Sequence, residues 1–443
     1  ENDVILRAKW GKVSISKSMD GEVYTGPTLY SLIEDQAVMD NIRSEYVALD
    51  DNGIVFQTMS SMRNGQGVYT RAGTENDEYP VHYYRGDVDN NHVIFADYCW
   101  LIVRTTSTGG VKLVYDGVPD SNGACNNDGE ASFIGKSVFN ENSDSLADIG
   151  YMYGTRYQKS EMDMFETNVF DPWIYGNDVS WDGEKYTLVD TIESVPVFFD
   201  DDKVFIMNGH HYSCLSTSST CEEVYYLYGF GGSTITYFTF HNGVNLESAK
   251  QEIFSNKNDS VIKQYIDTWY EENLINYSDY LEDTVWCNDR SFSSGALKSK
   301  DENASAIQGN YFGPQNRIRE TFQPIVTCPN ENDAFTVSSE NGNGALTYPI
   351  GLLTADEFML AGMGYTFENY NSYLHSSLAG YTLSPYFYSA IGNLFISSND
   401  ESFSLSDSPD QLFGVRPSIS LAHDVFISSG DGSSTLPYEV FVN

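Results

Sequence analysis

The sequence predicts an α+β fold of many short strands, few helices and long loops, and three observations carry that expectation. Apolar and polar residues alternate with a period of two through short runs that end in Gly, Asn and Asp; only two stretches show a clear helix signal; and the cysteines bracket polar loops. "VILRAKW" at residues 4 to 10 reads as a strand cut off from whatever precedes it, so 1–12 is assigned to the end of a preceding β element. Residues 13–75 are polar, with weak helical patterning around "LYSLIEDQAVMDNI", and read as a linker or N-terminal segment. From Val81 the text is plainly β: "VHYYRG", a turn at "DVDNN", then "HVIFADYCWLIVRTT" and "GVKLVYDG", a meander. Residues 76–240 are therefore a β-rich N-terminal half, in which 118–185 read as long loops of Asn, Asp, Ser and Gly.

The remaining 241–443 hold the helices. In "SVIKQYIDTWYEENL", Val261, Ile262, Tyr265, Ile266, Trp269, Tyr270 and Leu274 recur at i, i+3, i+4, with Asp259 or Ser260 as N-cap. "TADE" sets Thr354 to cap while Glu357 reaches back, and Gly362 ends the helix. Near the C-terminus, "LFGVRPSISL" alternates as a strand, with Val415, Pro417, Ile419 and Leu421 on one face and Arg416, Ser418 and Ser420 on the other. Pro cannot donate to a ladder, so this is an edge strand or a strand start.

Against 24 Lys and Arg stand 63 Asp and Glu, a formal net charge of −39. Such a field repels phosphate backbones and anionic headgroups, which argues against nucleic-acid binding and direct membrane binding. No apolar run is long enough to span a bilayer. The charged start "ENDVILRAKW" is no secretory leader, so more protein is expected beyond both termini. The 32 Tyr and 25 Phe suit a large β-rich core, and Tyr also suits a recognition surface.

None of the six cysteines forms a C-x-x-C pair, which argues against structural zinc. Their placement predicts three sequential disulfides. Cys99 with Cys125 spans a hairpin, Cys214 with Cys221 clamps "LSTSST", and Cys287 with Cys328 closes a Gly/Ser/Asn-rich loop. Disulfides imply an extracellular compartment.

Catalytic motifs are missing from the text: there is no H-E-x-x-H, G-x-S-x-G or phosphate-binding glycine loop. A glycosidase-type pair among 63 carboxylates remains the enzymatic rival. Asp87, Asp89 and Asn91 have calcium-loop spacing, but His92 stands where the turn needs Gly and Tyr98 where a bidentate Glu belongs. "RGD" at 85–87 is short enough to arise by chance.

Several stretches resemble a known family. "YPVHYYRGDVDNNHVIFADYCWLIVRTTSTGGVKLVYDGVP", "IKQYIDTWYEENLINYSDYLEDTVWCNDRS", "FTVSSENGNGALTYPIGLLTADE" and "YTLSP" followed by "GVRPSISL" are similar to an uncharacterised domain in surface proteins of gut Firmicutes. The C-terminal half is similar to the C-type-lectin-like fold of formylglycine-generating-enzyme relatives, and "VILRAKW" resembles the end of a Listeria–Bacteroides (internalin-type) repeat. The resemblance implies a C-type-lectin-like C-terminal half on a Gram-positive cell surface. It does not imply the oxidase, whose cysteines lie near the C-terminus, because no cysteine follows Cys328. The fold commonly displays ligands on its irregular C-terminal segment, here about Tyr370 to Asp410. The candidate ligand-binding residues are Tyr370, Asn371, Tyr373, His375, Tyr381, Tyr386, Tyr388 and Asn393. Lectin-like folds and the acidic charge favour calcium, with Asp128 and Glu130, or Asp178, Asp182 and Glu184, as candidate ligands. The closing "VRP" strand implies a structural Arg416, paired with carbonyls or a carboxylate such as one on the "TADE" helix. Function is expected to be non-catalytic adhesion or binding of a host or microbial glycan or glycoprotein. The rivals are a carboxylate hydrolase and a stalk or filament subunit.

Overall fold

The structure, a computed structural model, describes residues 17–19, 22–24, 26–43, 54–57, 66–71, 79–143, 145–156, 162–168, 179–181, 186–188, 204–207, 210–214, 220–228, 234–240, 251–291, 310–364, 372–389, 391–397 and 405–442. Its architecture is mixed α+β, with many short strands, few helices and two disulfides among the described side chains, Cys99–Cys125 and Cys287–Cys328. "VILRAKW" lies outside the described residues.

A nine-stranded sheet is the centre of the molecule. Its strands are β1 (Gly67–Arg71), β2 (Val81–Arg85), β3 (His92–Phe95), β4 (Tyr98–Thr105), β5 (Val111–Tyr115), β6 (Gly351–Leu352), β7 (Pro417–Leu421), β8 (Ile427–Ser429) and β9 (Tyr438–Val440). The order runs β6-β7-β5-β4-β3-β9-β8, with β2 joining β4 and β1 outside it. All neighbours are antiparallel except β9 and β3. The predicted meander holds for β3 to β5, whereas β2 skips its neighbour in sequence and pairs with β4 (Tyr83↔Arg104). The nine-stranded sheet takes strands from both sides of the expected boundary at 240/241, because β7 pairs directly with β5 (Ser418↔Val114, Leu421↔Val111).

Period-two alternation explains why both faces are dry. Along β4, Trp100 and Ile102 face one apolar cluster while Leu101 and Val103 face another; along β5, Leu113 and Tyr115 oppose Val114. Helix α2 (Val261–Asn273) covers the first face with Ile262, Ile266 and Tyr270, after α1 (Leu29–Arg43) adds Leu29, Ile33 and Ala37. Helix α3 (Ala355–Leu360) covers the second with Phe358, Met359 and Leu360. Ser260, rather than Asp259, caps α2 by accepting from Lys263 N at 3.2 Å. The Thr354–Glu357 capping box of α3 forms in both directions, at 3.1 and 3.0 Å, and Gly362 follows at φ +103°.

A six-stranded sheet packs beside the first and includes Gly380–Ser389, Ile391–Ser397, Phe413–Val415 and Gly135–Ser137. Arg416 is the crossing point: Phe413–Val415 pairs with Gly135–Ser137, and the next residue, Pro417, starts β7 in the other sheet. Pro at a strand start loses no ladder bond. Both faces of β7 are covered, so Ser418 and Ser420 are as buried as Ile419 and bond to Trp286 Nε1 and Glu282.

A narrow antiparallel stem joins residues 152–155 to residues 252–259. Tyr153 pairs with Asn258 and Met152 with Asp259, while Gly154 N donates to Ile253 O at 2.6 Å and Thr155 N to Glu252 O at 2.9 Å. The described backbone beyond the stem is a seven-stranded antiparallel sheet in which Cys214 and Cys221 are cross-strand partners; their side chains lie outside the description.

Candidate ligand-binding face

Four polar loops leave the nine-stranded sheet or its neighbour and are sewn to one another. They are 86–91 between β2 and β3, 117–129 after β5, 430–437 between β8 and β9, and 372–379. Ser434 N donates to Asp89 Oδ1 at 3.0 Å, and Cys125 N donates to Ser434 O at 2.7 Å, beside the buried Cys99–Cys125 bridge. Asn127 Nδ2 holds Asp116 O at 2.6 Å, Tyr373 N reaches Gly86 O at 3.0 Å, and Ser377 N reaches Asp128 Oδ1 at 2.9 Å. The Asn127 bond closes the 117–129 loop on its own base, and the others cross from one loop to another, so the loops form one fixed surface. Asp87, Asp89, Asp120, Asn122, Asn126, Asp128, Ser377 and Asp431 are exposed on it.

Arg416 anchors this surface from beneath. Its Nε donates to Tyr115 O at 2.7 Å, Nη1 to Leu374 O at 3.2 Å, and Nη2 to Asp116 Oδ1 at 2.5 Å. The partner is thus Asp116 and not a carboxylate of the "TADE" helix, because those are taken: Glu357 by Arg104 and Lys112, Asp356 by Arg317. Burial pushes the Asp116 carboxyl up to about 6, against the pull of Arg416, and Asp128 adds to the rise. At Asp128, slight burial raises the carboxyl, but the amides of Ser377 and Gly129 outweigh it with His375 and hold it below its ordinary value.

The structure sorts the expected ligand residues. Tyr373 and His375 lie on the face, half-buried, and the Tyr373 hydroxyl is buried without a protein partner. Tyr381 and Tyr386 do not belong to it, at 2% and 6% exposure. They sit in the strand Gly380–Ser389, whose inward positions fill the core; Tyr381 OH is enclosed by the carbonyls of Ser408, Pro409 and Gln411, and Tyr386 OH meets Arg319. Tyr388 and Asn393 are described as strand backbone only, and Tyr370 and Asn371 lie outside the described residues.

For calcium, Asp178, Asp182 and Glu184 lie outside the description. Asp128 Oδ1 is committed to two amides, and Glu130 pairs with Lys136 Nζ at 2.7 Å. Among the described residues no three His, Cys, Asp or Glu are grouped to hold a metal ion. The "RGD" arginine is fully buried, with Arg85 Nη1 donating to Met359 O and Leu360 O at the end of α3, and cannot reach an integrin.

One charged cavity was not legible in the sequence. Arg104, Lys112 and Arg317 face Glu357, Asp356 and Asp289 around a space of about 20 Å³, with Cys287 and Thr327 in its wall. That volume holds one water molecule rather than a substrate. Burial would raise Glu357, but Lys112 and Arg104 outweigh it and hold the carboxyl down at about 2. The six charges pair with one another and link β4, β5, α3 and the π-helical turn Asn316–Thr321.

No family model, curated protein or solved structure matches the chain. The reading therefore rests on geometry. Asp116 and the 430–437 loop were the members of the face that sequence reasoning missed. Their signal was the turn-rich text "DGVPDSNGACNNDGE" and "SSGDGSSTLP".

Proposed function

We propose that the protein is an extracellular, non-catalytic binding module of a Gram-positive surface protein, with a C-type-lectin-like C-terminal half, and that it takes a glycan or glycoprotein on the loop face. One observation carries this reading: four polar loops are bonded to each other and to a rigid sheet. A preorganised loop surface loses little entropy on binding. The two disulfides support an oxidising compartment, and the acceptor-rich surface suits a ligand that donates hydrogen bonds.

The test is binding of the folded chain to glycan arrays and host glycoproteins, with and without calcium. Asp87→Arg and Ser377→Arg, both at exposed positions, are expected to weaken a captured ligand at least about tenfold without moving Tm. Blank arrays and blank pulldowns in both conditions would sink the proposal.

A further inference from the structure

Away from the loop face, the turn between β3 and β4 meets α2 in a group of rings whose outer members reach the surface. Trp269 and Tyr98 are half-buried, with ring centroids 5.3 Å apart at 56°. Behind them the buried Tyr115 and Trp100 meet Trp269 edge-on, at 5.6 and 6.3 Å. Rings wedged edge-on by buried rings cannot swing, so the outer pair keeps one orientation. Polar bonds fix it further: Tyr98 OH donates to Asn273 Oδ1 at 2.6 Å, and Asn273 Nδ2 donates to Trp269 O at 2.7 Å. The turn itself places Ala96 and Asp97 at φ 52° and 64°, where Asn or Gly would ordinarily stand. Asp97 is exposed beside Tyr98, and the exposed Glu272 stands one turn along α2 from Trp269.

We propose that Trp269 and Tyr98 form a stacking platform for a neutral pyranose-containing glycan, with Asp97 and Glu272 accepting from its hydroxyls. A pyranose offers an apolar C–H face to an aromatic ring and a rim of hydroxyl donors, and the platform offers rings edged by groups that accept. An ammonium ligand fits less well, because a cation cage needs rings standing apart around a gap, and these two outer rings touch. Acidic sugars are repelled by the two carboxylates. The site shares no residue with the loop face and stands without it.

The experiment is saturation-transfer NMR and calorimetry on the full chain. The panel holds neutral oligosaccharides of glucose, galactose, mannose and N-acetylglucosamine, with sialyllactose and trilysine as charged probes. The expected result is binding of a neutral oligosaccharide that weakens about tenfold in Trp269→Ala, the size of a lost ring contact. Because Trp269 also packs on the core, Glu272→Lys is the second variant, expected to weaken the same binding at unchanged Tm. Ser377→Arg on the loop face should leave it intact, which separates the two sites. Silence from every neutral sugar, binding indifferent to both variants, or Trp269-dependent binding of trilysine instead would each overturn the platform.

Discussion

Glu357→Gln removes one charge from an enclosed ion group linking β4, β5 and α3. The side chain of Glu357 is 3% exposed, and its Oε1 accepts from Arg104 Nε at 2.9 Å and Lys112 Nζ at 2.8 Å, both cations being equally covered. Its carboxyl, ordinarily at 4.5, lies at about 2 because the two cations outweigh burial. A depressed folded value means stability that is present above about 4.5 and lost as pH falls through 2. The gap corresponds to about 3 kcal/mol at pH 7, of which about 2 kcal/mol is gone by pH 3. In the Gln variant the two cations remain buried with one shared partner neutralised, so a loss of about 3–5 kcal/mol is expected at pH 7. Urea unfolding of both proteins at pH 7 and pH 3 measures it. The difference should be large at pH 7 and shrink by about 2 kcal/mol at pH 3. A difference under about 1 kcal/mol at pH 7, or one that does not move with pH, would refute the assignment of these charges as a mutually satisfied network.

Other expectations concern the anchor, the bridges and the stem. Arg416→Ala strips partners from Asp116 and from the carbonyls of Tyr115 and Leu374, and should cost about 3–5 kcal/mol in thermal or urea unfolding; ligand loss at unchanged Tm would assign Arg416 to the ligand instead. Asp116, raised from 3.8 to about 6 by burial, has the opposite sign to Glu357: its contribution is present below about 4 and lost as pH rises through 6, so Asp116→Asn should flatten Tm between pH 4 and 7. Peptide mapping without reductant should recover Cys99–Cys125 and Cys287–Cys328, closing separations of 26 and 41 residues, and opening either should cost about 3–4 kcal/mol by the loop-entropy relation. Gly154→Ala should loosen the stem, since an added Cβ would lie 1.9 Å from Glu252 O.

The parts of this fold that sequence reasoning reached are those where local chemistry decides alone. Ser260, the Thr354–Glu357 box and the β3 to β5 meander follow from capping and alternation, which need no distant partner. The pairs Cys99–Cys125 and Cys287–Cys328 were readable because each brackets a turn-rich segment, and Cys214 and Cys221 are opposite one another in the backbone register. What escaped was long-range. That Arg104 and Lys112, inside apolar runs, would meet Glu357 some 250 residues later is written only in the sheet order. The same holds for Asp116 taking Arg416 across a separation of 300 residues. Tyr381 and Tyr386 misled because composition cannot tell a displayed tyrosine from one on a covered strand.

The placement of cations bears on what either site can bind. Arg85, Arg104, Lys112, Lys263, Arg290 and Arg416 are all buried, where they serve carbonyls and interior carboxylates. Asp116, Asp148, Asp289, Asp333, Asp356 and Glu357 are buried as well, so among the described residues the withdrawn charges cancel and the surface keeps the acidic balance of the net charge of −39. At physiological salt the field reaches about 8 Å, so a ligand feels the carboxylates of the loop it touches rather than the whole molecule. On the loop face these are Asp87, Asp89, Asp120, Asp128 and Asp431. Such a face penalises sulfated or sialylated ligands and accepts hydroxyls and amides. If capture on the loop face weakened when salt was lowered, the repulsion would be confirmed at that face; if a sulfated glycan bound best at low salt, the ligand would be drawn by cations that the described surface does not present there.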